Sequence, residues 1–509
     1  MTNLNENLKC YDVAVIGGGI NGVGIANDAS GRGLSVFLCE KDDLASHTSS
    51  ASSKLIHGGL RYLEHKEFRL VREALAEREV LLAKAPHIIR PMRFIMPHRP
   101  HLRPAWLIRT GLFFYDHLGK REKLAGSNNV TFQPVDSPLN KDITRGFEYS
   151  DCAVDDSRLV VLNAMQAREQ GAQIMTQTRC ISAQRKDSVW ILDMENQQGC
   201  FQIQAKVLVN AAGPWVAQFI REDLKLQSPY GIRLIQGSHI IVPKLYEGDK
   251  AFIMQNDDQR IVFAIPYLEK YTMIGTTDRE YAGDPNKVEI SADETAYLLD
   301  VSNDHFKTQL SEMDIVSTFS GVRPLCDDES DNPAAVTRDY TLALSQENVS
   351  DAPLLSVFGG KLTTYRKLAE SAMEHLQKFF PEIKQPWTEQ ALLPGAENLR
   401  SVDELITEIE NKIKGVDTGT AQRWAHAYGS RVWSFLKHTG SVHELGQHFG
   451  HGLYAQEVDY LVDAEWAVDS DDILERRSKL YLEFSLDEIL LLDQYLAELH
   501  ERRLQQDVA

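Results

Sequence analysis

The chain of 509 residues is 43% apolar and 25% charged, the make-up of a globular protein with room for more than one domain. Its formal charge of −19 argues against a nucleic-acid partner. Its six scattered cysteines include no C-x-x-C pair, so they fit a reducing compartment better than a disulfide framework or a zinc site. Neither a secretion leader nor a membrane span is expected, since the first residues show no basic stretch followed by an apolar one and no apolar run approaches the length of a span.

The stretch Tyr11 to Glu40 carries the strongest local pattern. Val13 to Ile16 reads as a buried strand, Gly17, Gly19 and Gly22 follow in G-x-G-x-x-G spacing, and a helical segment leads to a second apolar run, Leu34 to Leu38. In such a turn the first glycine allows the bend, the second lets backbone approach a pyrophosphate, and the third lets helix and strand pack closely. The free N–H groups of the helix start favour the phosphates. Glu40, at the end of the second strand, is placed to accept from ribose hydroxyls and disfavours a 2′-phosphate. Asn21 lies inside the same turn. The motif is shared by NAD and FAD sites, and its place near the N-terminus leans toward FAD.

From Asp42 to Tyr62 the chain is dense in small hydroxyl residues. Ser49, Ser50, Ser52, Ser53, Lys54 and His57 are candidate cofactor contacts there, the alternative being a solvent loop. Phe68 to Lys84 has helical periodicity. Leu81 to Thr110 holds Lys84, Arg90, Arg93, Arg99, Arg103 and Arg109 with no Asp or Glu, and Trp106, Leu107, Phe113 and Phe114 lie at or just past its end. This suits an anionic lipid surface, or equally a solvated basic face over ordinary core residues. Gly146 to Leu162 leads into a helix. Short alternating runs from Gln173 to Val209 predict strands with a polar turn at residues 195–199, ending in VLVNAAGPWV. Ala212 and Gly213 in that segment are small enough for backbone to pass close to a cofactor. Strand signals continue from Ile232 to Thr277, and Ala292 to Leu310 reads as a helix. In LLSVFGGKLTTYR a Gly-Gly turn joins a strand to a helix starting near Thr363, which makes Gly360, Lys361, Leu362 and Thr363 further cofactor candidates. After Pro394 there is no proline, and Val402 to Leu504 has helical spacing throughout. Residues 401–509 hold 21 acidic against 10 basic residues, a net of 10 − 21 = −11.

Several long motifs together resemble one family. DVAVIGGGINGVG, TSSASSKLIHGGLRYLEHKEFRLVREALAEREVLL, PHRPHLRPAW, SPYGIRLIQGSHI, SGVRPLCDDESD and LLSVFGGKLTTYRKLAE are similar to those of the bacterial aerobic, FAD-dependent glycerol-3-phosphate dehydrogenases, from Tyr11 to about Glu370. The resemblance implies an α/β FAD-binding domain of glutathione-reductase type, D-amino-acid-oxidase-like, interleaved with a β-rich substrate domain over residues 1–393. It also implies a C-terminal all-α cap over 394–509. It further implies oxidation of glycerol 3-phosphate, electron transfer to ubiquinone, peripheral attachment to the cytoplasmic face of the inner membrane, and a homodimer. By the same resemblance Arg61, Tyr62, Arg323 and Lys361 line the substrate pocket; no metal is expected. A dianionic phosphate calls for fixed cations, Arg above all. Oxidation of a secondary alcohol also needs a proton acceptor or an alkoxide stabiliser. His57 is the first candidate for acceptor and His239 the second, with Arg323 as stabiliser. Two other readings remain at this level: a flavin oxidase that passes electrons to oxygen, and a non-catalytic flavin-binding sensor.

Overall fold

The computed structural model describes residues 8–507, apart from 65, 100, 120, 134, 259, 328–338, 347 and 349. His65 and Pro100 of the long motifs, and residues 328–331 of the SGVRPLCDDESD motif, therefore lie outside the described residues.

Cys10–Ile16 is the middle of a parallel sheet, and burial on both faces explains its nearly unbroken apolar run. Val36–Cys39 lies parallel on one side and Gly199–Asn210 on the other. Gln173–Met175 and Leu354–Phe358 extend the sheet outward in parallel, and Thr341–Ser345 closes one edge antiparallel. The first half of Gly199–Asn210 pairs antiparallel with Val189–Asn196, so the polar residues 195–199 form a hairpin tip, as the composition predicts. Helices Ile20–Gly31, Asp156–Glu169 and Tyr365–Leu376 pack together over one face of the sheet. Asn27 Nδ2 joins the first two by donating to Asn163 Oδ1 (3.1 Å) and Gln166 Oε1 (2.9 Å).

A second, ten-stranded sheet forms the β-rich substrate domain. Its strands come from residues 55–56, 89–97, 128–154 and 231–327, so the chain crosses between the two sheets repeatedly and the two domains interleave. Gly231–Pro243 pairs along most of its length with Ser317–Asp327, which sets Ile235 opposite Arg323 and His239 opposite Phe319. Helix Phe68–Lys84 has the expected bounds. Helix Ala292–His305 starts at a capping box of Ser291 and Glu294 and stops short of the expected Leu310. Phe306 is extended, bridges to Leu139 and stacks on Tyr246.

After Ser401 the chain folds around an apolar core of its own, built on Trp424, Tyr428, Phe435, Leu461 and Leu492. Ser401 and Asp417 cap the first two helices by accepting from Glu404 N and Thr420 N. A two-strand hairpin, His448–Gly450 with Leu453–Tyr454, interrupts the helices.

The basic stretch is less free than its composition suggests. Arg93 pairs with Glu148 (3.0 Å), Arg99 with Asp304 (2.5 Å) and Arg103 with Glu64 (2.5 Å), and Lys84 is buried, donating to Ala391 O (2.6 Å). The apolar residues stay outside: on helix Ala105–His117, Trp106 is 70% and Phe113 55% exposed, and Leu107 and Phe114 are exposed as well.

Candidate functional site

The first strand–helix turn leaves no room for side chains. Gly17 has φ +110°, and a Cβ there would lie 2.5 Å from Ala211 O. A Cβ on Gly22 would lie 1.9 Å from Gly17 O, so the helix rests directly on the turn. Gly19 begins the helix with no side-chain cap of its own, and Ser49 Oγ from the following loop accepts from Ile20 N (3.0 Å). Asn21 donates from Nδ2 to Gly359 O (3.1 Å), tying the turn to the distant Gly-Gly segment; its Oδ1 is buried and has no partner among the described residues.

Glu40 is nearly buried, and its oxygens accept from Gly18 N (2.7 Å) and Asp42 N (3.0 Å). Burial raises its pKa against the pull of those two N–H groups. Each oxygen keeps a further lone pair, so the acid can still accept from a ribose. Asp42 is held well below the usual carboxylate range by His47, bonded at 2.8 Å, and by Lys41. Glu40, Asp42 and His47 bring donor atoms within 4.8 Å of one another, but these internal bonds already account for the arrangement.

These elements wall one cavity of about 1010 Å³, the upper end of the range for small-molecule and cofactor sites. Gly17, Gly19, Asn21, Glu40, Ser49, Ser52 and Ser53 line it from the first turn, the end of the second strand and the loop that follows. Ala212, Gly213, Gly360, Leu362 and Thr363 line it from the second and third segments. Ala211 N donates to Ile16 O (2.9 Å), which brings the end of Gly199–Asn210 beside the Gly17 turn. Gly22, Ser50 and Lys54 are not among the lining residues: Gly22 packs behind the turn, Ser50 Oγ bonds His47 O (3.1 Å), and Lys54 Nζ donates to Asp156 (2.9 Å). The glycine cradle, the helix start whose N-cap Gly19 brings no side chain, and the unpartnered Asn21 Oδ1 suit a dinucleotide with a diphosphate at the turn.

The same cavity also collects charge. Arg61, Arg323 and Lys361, from three segments far apart in sequence, all line it, with Tyr62 and His57. Lys361 Nζ lies 4.1 Å from the centre of the Tyr62 ring. Neither Arg61 nor Lys361 has a carboxylate partner among the described residues, whereas Arg323 pairs with Asp278. Thr363 Oγ1 contacts His57 O at 3.5 Å, which draws the Gly-Gly segment against the His57 turn. Burial holds His57 below the ordinary histidine range, with Asp151 opposing and Lys361 and Arg323 adding to the shift. His239 is buried, stacks on Phe319, shares a hydrogen bond with Ser53 Oγ (2.9 Å) and is pushed down to about 3 by burial, with Lys54 and Arg323 adding. Both rings are neutral near pH 7 and able to accept a proton.

Sequence reading passed over Asp278 and Trp215. Asp278 follows the strand Tyr271–Gly275 in a run read only as strand signal, and nothing local marks it as the partner of Arg323. Trp215 lines the cavity, with His47 edge-on to it at 4.8 Å and Lys41 Nζ 4.9 Å from its ring centre.

Comparison with known proteins bears on this geometry. Residues 12–366 match the family model "FAD dependent oxidoreductase", and residues 386–505 match "C-terminal domain of alpha-glycerophosphate oxidase". The chain is 66% identical to a glycerol-3-phosphate dehydrogenase of Pseudomonas aeruginosa, over 97% of this chain and 96% of that protein. It is 54% identical to the aerobic glycerol-3-phosphate dehydrogenase of Escherichia coli, over 98% and 99%. Among solved structures, the glycerol-3-phosphate dehydrogenase from Bacillus halodurans complexed with FAD superposes with a TM-score of 0.75 at 26% identity, covering 98% of this chain and 94% of that one.

Proposed function

The chain belongs to the FAD-dependent oxidoreductase family, and from that membership we propose that it oxidises sn-glycerol 3-phosphate to dihydroxyacetone phosphate and passes the electrons to a membrane quinone. The observation that carries the reading is the convergence of Arg61, Arg323 and Lys361 on the cavity that begins at the Gly17 turn. A dianionic phosphate is held best by several fixed cations, and two of these three have no competing carboxylate among the described residues.

Bound FAD supplies the two-electron acceptor for the hydride of the alcohol carbon. Arg61 and Lys361 hold the phosphate and so fix which end of the substrate lies deepest. Arg323 favours the alkoxide that forms as the hydroxyl proton leaves. His57 takes that proton: its ring lines the cavity, is neutral, and makes no hydrogen bond to the described residues. His239 is tied to Ser53 through a hydrogen bond and is pushed down to about 3 by burial, which makes it a poor proton acceptor near neutral pH.

Anaerobic titration of the yellow holoprotein tests this. Glycerol 3-phosphate is expected to bleach one flavin per chain, and His57→Gln to slow single-turnover bleaching about 10²–10⁴-fold. A ubiquinone analogue is then expected to restore the colour faster than oxygen. No bleaching sinks the substrate reading, and bleaching at the parent rate in His57→Gln removes that residue as base. Fast reoxidation by oxygen with peroxide release would favour an oxidase.

Among the described residues no helix is long and apolar enough to cross a membrane. Helix Ala105–His117 has 13 residues, too few to span but enough to lie in an interface, with the Trp106, Leu107, Phe113 and Phe114 side chains as its apolar edge. Phe68 extends this edge, 6.2 Å from Phe114 between ring centres. Because several nearby arginines are already paired, apolar insertion supports the membrane reading more than free positive charge does. The paired change Trp106→Glu and Phe113→Glu is expected to weaken sedimentation with anionic phospholipid vesicles by about tenfold or more. Turnover with a soluble dye should stay at the parent value. Unchanged sedimentation would place the contact elsewhere, on the cytoplasmic face of the inner membrane or not.

A further inference from the structure

One segment of the C-terminal domain reaches the loop that lines the cofactor cavity. Arg476 and Arg477 end a short π-helical turn, Asp472–Arg477, and both point at Asp43. Asp43 is buried and sits between Glu40 and Ser49, two residues that line the cavity. Arg477 donates from Nη1 to Asp43 Oδ2 and from Nη2 to Oδ1, both at 2.7 Å, and Arg476 Nε donates to Oδ2 at 2.7 Å. Arg477 is itself fixed by donating to Glu465 O (2.7 Å), and the Glu465 carboxylate accepts both arms of the Arg158 guanidinium.

Two residues further on, Lys479 Nζ donates to Ser157 Oγ (2.6 Å) and lies 3.4 Å from the Asp155 carboxylate, at the first turn of helix Asp156–Glu169. In that same turn Asp156 accepts from Ser52 Oγ (2.7 Å) and Lys54 Nζ (2.9 Å). The cofactor loop is thus held at both ends from one stretch of the C-terminal domain: at Asp43 directly, and at Ser52 and Lys54 through the helix turn that Lys479 touches. Apolar contact would join two domains with less desolvation than buried ions do. A bidentate guanidinium, by contrast, fixes both the place and the plane of the carboxylate it grips.

We propose that the C-terminal helical domain acts as a retaining clamp for FAD, with Arg476, Arg477 and Lys479 as positioning residues that keep residues 42–54 in their cofactor-lining conformation. The inference rests on the FAD reading above.

The test follows release of FAD from holoprotein diluted into flavin-free buffer, read by the rise of free-flavin fluorescence. Lys479→Met, and the paired change Asp43→Asn with Arg477→Gln that removes both buried charges together, are each expected to release FAD at least fivefold faster. Arg476→Lys, which keeps the charge, is expected to stay within twofold of the parent. Release less than fivefold faster in Lys479→Met overturns the clamp, and that variant decides alone should the paired one not fold. A parent protein without FAD overturns the clamp and the cofactor reading together; a flavin-loaded parent with unchanged release in the variants overturns the clamp only.

Discussion

Gly22→Ala is expected to leave the protein unable to retain FAD at ordinary concentrations. The added Cβ would stand 1.9 Å from Gly17 O and 3.4 Å from Ala211 Cβ. The first of these is a backbone atom, so no flexible side chain can give way. Helix Ile20–Gly31 has to lift from the turn, and its N-terminal N–H groups move off the diphosphate position with it. Overpacking of this kind costs about 1–3 kcal/mol, and about 2.7 kcal/mol taken wholly from binding corresponds to a hundredfold loss of affinity. Gly111→Ala is the control: a Cβ there meets nothing within 4 Å, and the helix is expected to gain about 0.5–1 kcal/mol. Flavin-to-protein absorbance ratios and titration of FAD into stripped protein measure both. Parental flavin content in Gly22→Ala would mean that the close contact does not set the cradle.

The site was legible where its constraints are local. The Gly17 turn, the acid at Glu40 and the Gly-Gly junction before Lys361 each show in a dozen residues, because backbone approach to a phosphate demands small residues at fixed spacing. Helix Phe68–Lys84 was legible for the same reason, its apolar period being continuous. Helix Ala292–His305 was overrun because what ends it is tertiary: Phe306 leaves the helix to stack on Tyr246 and bridge to Leu139. The basic stretch shows the limit of counting charge, since Glu148, Asp304 and Glu64, which neutralise Arg93, Arg99 and Arg103, come from elsewhere in the chain. Asp278 lies 45 residues from Arg323, and Asp43 lies 434 from Arg477. Pairs at such separations leave no periodicity and no motif, so only the folded chain reveals that Arg323, which lines the cavity, has a carboxylate partner and that Arg476 and Arg477 of the C-terminal domain bond Asp43.

Arg323→Ala is expected to lower kcat/KM for glycerol 3-phosphate by about 10²–10³ while FAD stays bound. The residue lines the cavity from Ser317–Asp327, opposite Ile235, and its side chain is 43% exposed, so truncation opens no hole in a core. Asp278, 29% exposed, would lose its partner but keep access to water, which limits the damage to the site itself. The loss corresponds to about 3–4 kcal/mol of transition-state stabilisation, the scale of removing one strong donor from a developing oxyanion. The split between the two constants carries the information. A cation that only bound phosphate would raise KM and leave kcat alone, because ground state and transition state would lose equally. A cation that also meets the alkoxide lowers kcat as well, and both changes are expected here because Arg323 lines the same cavity as Arg61 and Lys361 and would share the phosphate with them. Steady-state rates with a soluble dye acceptor, at flavin content checked by absorbance, separate the cases. A rise in KM alone would return Arg323 to phosphate binding, and unchanged kinetics would remove it from the site.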